Sequence, residues 1–501
     1  MSKYVHTPNV VTLQDVVNKD FTLSSSQYVN LVMPNKNYKY VREFLSRPLL
    51  REDLGVEVGS LSYIDKSPFR FIRTKALQSH SFLPELNKET ALPILPSEFV
   101  QMNLKEGDLL ISKDSNIGEI VILDKDYPDC MLSGAIYKLP VKSDWRYYLL
   151  AFIKSDIFRE QLDFMVPKGA TIRHAKTMFL DCKIPLPNKN VAKIVRYISV
   201  LTKAIINKEK LIRQRHADIL QLIEKELTEN QKPNKFNYHL PRFNEVKEVG
   251  RLDTGIYGDT FLRQKHLLTN YKYDYCNFLS LNNNNVVISR GQNLQESNIG
   301  KSIYTNNQIK GYYTLCLSKH FTQCQTITQF LYLGNKLSLK TINEGEIIFS
   351  CRGEMGRLLI FCDQVEKTIT NIDNVHIEFP NQELFKNIYI AQILSYLKEK
   401  GFIKSIAITG SGADSFTKYQ FDMLPIPKFP EPKQMEIATL YHNPQEYFTD
   451  DFTLDNFEEK DNEYNLAAGI YELDKTAKRL KEKLNQAIDD IVNDKEVVIE
   501  F

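Results

Sequence analysis

None of the seven cysteines (Cys130, Cys182, Cys276, Cys316, Cys324, Cys351, Cys362) forms a CxxC pair, and they are odd in number and scattered. That argues against a zinc site and for a reducing compartment. Long hydrophobic runs are also missing: nothing approaches the roughly 18 apolar residues that cross a bilayer. The opening MSKYVHTPNVVTLQD has no basic stretch followed by an apolar one. The expectation is a soluble, non-exported, cytoplasmic protein with no membrane partner.

Catalytic signatures are equally scarce. NIGKS (Asn298 to Ser302) would be a phosphate-cradling loop only with glycine at position 295, which is Gln295. No GxGxxG follows a strand, and HNPQEYF lacks the second proline of an Asn/Asp-Pro-Pro-aromatic base-holding loop. YPDC (Tyr127 to Cys130) has no convincing ExK partner for a metal-dependent nuclease core. The nine histidines show neither HExxH nor HxxxH spacing. No catalytic, cofactor-binding or metal-binding residue is therefore assigned.

What is present is size, ordinary globular composition and an uneven charge. At 501 residues the chain exceeds one hydrophobic core, and 43% hydrophobic with 25% charged residues suits folded domains. Net charge is +2, but residues 431–501 carry 8 basic against 18 acidic side chains, which leaves +12 on the rest. A polyanionic partner fits that body.

The chain also repeats itself. EGDLLISKDSNIGEI (106–120) and EGEIIFSCRGEMGRL (344–358) share Glu-Gly-acid, an apolar run, Ser, a polar excursion and a second glycine. Gly-acid marks a turn, and the apolar runs read as short strands. Downstream, CKIPLP (182–187) answers DMLPIP (422–427). Upstream, FIRTKALQ (71–78) is matched to ISRGQNLQ (288–295), at the cost of about 21 extra residues in the second copy. KDSN and CRGE have little in common, so one frame presents two sets of side chains, as two different target surfaces would require.

A helix follows each PxP. Ile194, Ile198, Leu201, Ile205, Lys208, Ile212, Arg215, Ile219 and Leu222 fall at alternating steps of four and three, and so do Leu466, Ile470, Leu473, Ala477, Leu480, Leu484, Ala487 and Ile491. The apolar members of both sets are predicted to pair. Helix from Val191 to about Glu229 would span roughly 58 Å, stopped near Pro233. Residues 441–463 read as an acidic, exposed insertion, with solvation favoured over partner contact. The predicted segments are 1–187 globular, 188–233 spacer helix, 234–430 globular and 431–501 C-terminal helical region.

The ordered, duplicated set of FIRTKAL, EGDLLISKDSNIGEI, CKIPLP, long helix, EGEIIFSCRGEMGRL, MLPIPKFPEPKQMEIA and second long helix resembles the specificity (S) subunit of Type I restriction-modification systems, from about residue 40 to the end. The resemblance implies a mixed α/β (α+β) fold. Two globular target-recognition domains would alternate with two long helices paired as an antiparallel coiled coil, in a pseudo-twofold repeat. It implies a non-catalytic DNA-binding subunit that reads a bipartite site in double-stranded DNA, with two methyltransferase subunits and, optionally, motor-nuclease subunits as partners. The competing readings are a self-contained restriction or modification enzyme and a coiled-coil scaffold for proteins.

Candidate DNA-reading residues lie in polar stretches around the landmarks. In the first domain they are Arg73, Lys75, Lys113, Asn116, Lys168, Thr171, Arg173, His174 and Lys176. In the second they are Arg290, Gln292, Asn293, Arg352, Ser411, Ser415 and Lys418. Arg, Asn and Gln carry paired polar groups that match guanine and adenine edges, and Lys neutralises phosphate.

Overall fold

The structure, a computed structural model, describes every residue except 1–3, 7, 19–20, 22, 24–27, 167–174, 253 and 410–413. It divides into two compact units. One comprises 1–210, 446–466 and 475–501, and the other 211–445 and 467–474.

In the first unit the apolar run becomes β3 within the series β1 (Tyr38–Tyr40), β2 (Arg70–Ile72), β3 (Leu109–Ser112), β4 (Ile120–Ile122), β5 (Cys130–Leu132) and β6 (Ile136–Leu139). All four side chains of β3 are buried. A run this short with both faces covered needs no polar alternation. β3 pairs antiparallel with β4 and β6, while β2 pairs parallel with β5. Helices α1 (Arg146–Lys154) and α2 (Asp156–Met165) follow, then β7 (Lys183–Pro185), which pairs with β1. Proline is tolerated in β7 because this sheet has only two strands.

The long helix α3 (Val191–Glu229) comes next, its residues up to 210 in the first unit and the remainder in the second. The second unit then repeats the plan with β8 (Tyr275–Asn277), β9 (Val287–Arg290), β10 (Tyr313–Cys316), β11 (Ile347–Ser350), β12 (Leu358–Ile360), β13 (Thr368–Thr370), β14 (Asn374–Glu378), α4 (Leu384–Glu399) and β15 (Pro425–Pro427). β11 pairs antiparallel with β12 and β14, β10 parallel with β13, and β15 with β8. The chain ends with α5 (Glu431–Tyr441), α6 (Phe457–Ala467) and α7 (Ile470–Val492).

Register identifies true counterparts and corrects the upstream landmark. β2 runs parallel to β5 as β10 runs parallel to β13, so FIRTKAL corresponds to LCLSKHF (315–321), not to ISRGQNLQ. ISRGQ corresponds instead to the segment around Gly55. Gly55 N and Val56 N donate to Ile136 O and Leu132 O, as Gly291 N and Gln292 N donate to Asn374 O and Thr370 O. Gly55 precedes Gly107 by 52 residues and Gly291 precedes Gly345 by 54, so the supposed 21-residue excess disappears. The PxP match also shifts by two, because Tyr148 Oη donates to Pro185 O and Tyr389 Oη to Pro427 O.

The helices differ from the predicted seam in three places. Ile194, Ile198, Leu201 and Ile205 share one apolar cluster with Leu480, Leu484, Ala487 and Ile491, but that cluster also contains Leu109 and Ile111 of the sheet. This half of α3 is thus part of its unit's core. Beyond Ile212 the buried stripe runs through His216, Ile219, Ile223 and Leu227, so Arg215 and Leu222 fall beside it. A helix of 3.6 residues per turn drifts from a strict 3.5 repeat, and here it follows its own period. In the C-terminal region Ile470 and Leu473 are buried, Thr476 is buried where Ala477 is half-buried, and Leu466 is 84% exposed. Leu466 lies next to the end of α6, and a break at Ala468 and Gly469 separates α6 from α7. A Cβ on Gly469 would lie 2.6 Å from Tyr441 O, so the close approach demands glycine.

The acidic insertion is not merely solvated. Its last residues open α6, on which Phe457, Asp461 and, just past the insertion, Asn465 are buried. Asp461 Oδ1 and Asn465 Oδ1 each lie 2.6 Å from Nζ of the buried Lys208, and Tyr447 and Tyr464 place their rings 5.1 Å from the same ammonium. Burial pushes the Lys208 ammonium below its usual range, and the Asp461 charge opposes that shift. Lys208, one of the two polar members of the predicted stripe, is thus the anchor of the insertion.

Candidate nucleic-acid interface

In each unit a polar loop leaves the end of the buried strand and returns through a glycine. Gly118 N donates to Ser112 O over 2.8 Å and Gly356 N to Ser350 O over 2.9 Å. Ser112 Oγ reaches Asp114 O, and Ser350 Oγ reaches Arg352 O. Gly118 and Gly356 adopt φ of +77° and +78°, where a side chain would be strained. The flanks match too: Lys113 N donates to Ala135 O and Cys351 N to Asp373 O, while Lys113 O accepts from Ala175 N and Cys351 O from Phe416 N.

This frame gathers several predicted residues. In the first unit Lys113 and Lys176 are brought together by the Ala175 contact, and Asn116 Nδ2 lies 3.2 Å from Leu77 O and 3.5 Å from Thr74 O. Arg73 and Lys75 are exposed on the same turn. Their charges are not all free, since Lys75 pairs with Glu89, and Lys113 with Asp114 at 2.7 Å. Asn116, predicted to read bases, instead spends its amide on the neighbouring turn. Lys168, Thr171, Arg173 and His174 lie outside the described residues.

In the second unit Arg290 Nη1 reaches Ile372 O over 3.4 Å, Gln292 bridges to Asn371, and Arg352 Nη1 lies 3.8 Å from Asp373. Ser415 is drawn in beside Phe416 and pairs with Ile408, and Lys418 is exposed at the start of the next short helix. Asn293 turns its side-chain oxygen to Gln295 N, which stabilises its own loop. Ser411 lies outside the described residues.

Sequence reasoning missed Lys319 and Arg357. Lys319, the counterpart of Lys75, is exposed, and Arg357 Nη1 donates to Phe321 O over 2.9 Å. The T-K of FIRTKAL and the S-K of LCLSKHF were the available signal, masked by the closer spelling of ISRGQNLQ. Behind the first loop lies Lys154, whose Nζ donates to Gln78 O over 2.6 Å and sits 3.7 Å from Glu119. Burial pushes this ammonium down to about 8.

Among the described residues no cluster of three or more His, Cys, Asp or Glu is arranged to hold a metal ion, and no helix is long and apolar enough to cross a membrane. The arrangement offers two polar, cation-bearing edges on rigid strand frames. Such edges can contact phosphates and base edges.

Residues 87–238 match the model of the family described as "Type I restriction modification DNA specificity domain". No curated protein sequence matches the chain. Among solved structures, the Type I restriction-modification S subunit from M. genitalium matches at 10% identity and TM-score 0.38, over 91% of this chain and 95% of that one. The HsdS subunit from Thermoanaerobacter tengcongensis matches at 13% identity and TM-score 0.25, over 92% and 98%. The family match spans the first loop, the buried sheet and all of α3, and the likeness to that DNA-specificity domain is carried by this stretch.

Proposed function

We propose that the chain reads a bipartite site in double-stranded DNA, one half by each unit, and that the length of α3 sets the gap between the halves. The observation that carries this reading is the duplicated hydrogen-bond frame with unlike loop side chains. One frame with two chemistries suits two different half-sites. Lys and Arg contacts to phosphate would supply most of the affinity and its salt dependence. Bidentate contacts to base edges would supply discrimination of about 1–3 kcal/mol each. The 39 residues of α3 correspond to about 58 Å of helix, comparable to one to two turns of B-DNA at roughly 34 Å each.

The partners in this reading are DNA, two methyltransferase subunits and, where restriction occurs, motor-nuclease subunits, all in the cytoplasm. The chain itself is a recognition subunit. Co-expression with the cognate methyltransferase and genome-wide mapping of modified bases tests the reading. A split motif with a fixed gap is expected, and replacing residues 236–430 by those of a relative should change one half only. Methyl transfer by the chain alone, or a continuous motif, would overturn it.

A further inference from the structure

The two loops are fastened to their neighbouring turns by different side chains at the same place. Thr74–Ala76 and Ser318–His320 are equivalent three-ten turns: Ala76 N and Leu77 N donate to Arg73 O and Thr74 O, as His320 N and Phe321 N donate to Leu317 O and Ser318 O. The carbonyl that closes the turn faces the loop in both units. In the first, Leu77 O accepts from Asn116; in the second, Phe321 O accepts from Arg357, which also pairs with Glu354 at 3.1 Å. The side chain at the position of Asn116 in the second loop is Glu354, which has no proton to donate. Arg357 therefore supplies from three residues further on the donor that the loop itself lacks.

We propose that Asn116 and Arg357 are positioning residues that latch each reading loop to its turn, and that Lys319 meets DNA at the second half-site as Lys75 does at the first. The proposal rests on the DNA-reading function and adds the residues that hold each edge. A latch matters because base readout needs the loop's polar groups held in place, and a donor lost from a buried carbonyl leaves that acceptor unpaired. The second latch is charge-assisted and shorter, so its loss should be felt more.

The test uses the full chain with its cognate methyltransferase, comparing modification rates on the wild-type site and on sites with one base changed in either half. Arg357→Ala should reduce discrimination at one half on the order of tenfold and leave the other half within about twofold, with Arg357→Lys recovering part of the loss. Asn116→Asp, equal in size but without the donor, should do the same at the opposite half with smaller effect. Lys319→Ala should lower the slope of log affinity against log salt by about one while keeping discrimination. Equal loss at both halves, unchanged discrimination in both latch variants, or an unchanged salt slope for Lys319→Ala would overturn the proposal. A thermal melt separates unfolding from lost readout, and Arg357→Lys keeps the charge if Arg357→Ala does not fold. Failure of the wild-type complex to modify a split site would instead overturn the proposed function.

Discussion

At the second position of the loop that follows the buried strand, the first unit has Asp114 and the second has Arg352; at the fourth, Asn116 is opposed by Glu354. The facing turns differ in the opposite, compensating sense, with Ala135 in one unit at the place of Asp373 in the other. Each edge therefore balances its own charge: Lys113 pairs with Asp114 within its loop, and Arg352 turns across to Asp373. Backbone hydrogen bonds and two glycines define the frame, so the side chains are free to reverse sign without disturbing it.

The units part company most in how α3 is held. In the first, a buried ion pair joins Lys208 to Asp461, with Asn465 completing the shell. In the second, α3 is held by a partly exposed ion pair, where Glu224 meets Lys400 at 2.8 Å, and by a bond from the buried Tyr396 to the same carboxylate. Breaking a buried pair from one side strands a charge, so Asp461→Ala should destabilise the first unit by about 3–5 kcal/mol in chemical denaturation. Glu224→Ala should cost about 1 kcal/mol or less. Replacing both Lys208 and Asp461 by apolar residues should recover much of the loss. Equal costs for Asp461→Ala and Glu224→Ala would break the contrast.

Where the units are alike, the expected effects are alike. A Cβ on Gly55 would lie 2.1 Å from Ser133 O, and on Gly291 it would lie 2.3 Å from Asn371 O. Backbone cannot yield cheaply, so Gly55→Ala and Gly291→Ala should each cost about 1–3 kcal/mol, read as paired shifts in denaturation midpoint. A large cost at one and none at the other would undo the register that equates them.

That register was beyond the sequence, and the reason is physical. The EGDLLIS and EGEIIFS strands were legible because burial on both faces demands a continuous apolar run and the flanking turns demand glycine. The parallel pairing of β2 with β5 and β10 with β13 leaves no such mark, since it is made by backbone atoms that any residue supplies. Spelling then favoured ISRGQNLQ over LCLSKHF, and Lys319 and Arg357 were lost with it. The apolar stripe of α3 was legible up to Ile212, where alternating steps of four and three still coincide with the helical period. Beyond it, His216 and Ile223 took the places assigned to Arg215 and Leu222. The insertion was misjudged because its acidic composition concealed Phe457 and Asp461, which share one helical face with Asn465 just beyond it.

A smaller test concerns the support behind the first loop. Lys154 is buried, with Glu119 as its nearest charge, whereas Ser395 follows Tyr389 at the interval by which Lys154 follows Tyr148. With the folded ammonium pushed down to about 8 from an ordinary 10.5, the unfolded chain binds the more protons between those values. Stability must then increase with pH across that window. The expected gain attributable to Lys154 between about pH 8 and 9.5 is about 1–2 kcal/mol, before tyrosine ionisation in the unfolded chain begins to act against it. Lys154→Met should abolish that part of the slope in denaturant titrations at several pH values and leave the second unit's response unchanged. An unaltered slope would mean that the Glu119 carboxylate compensates the burial in full, and the two loops would then stand on electrostatically equivalent supports.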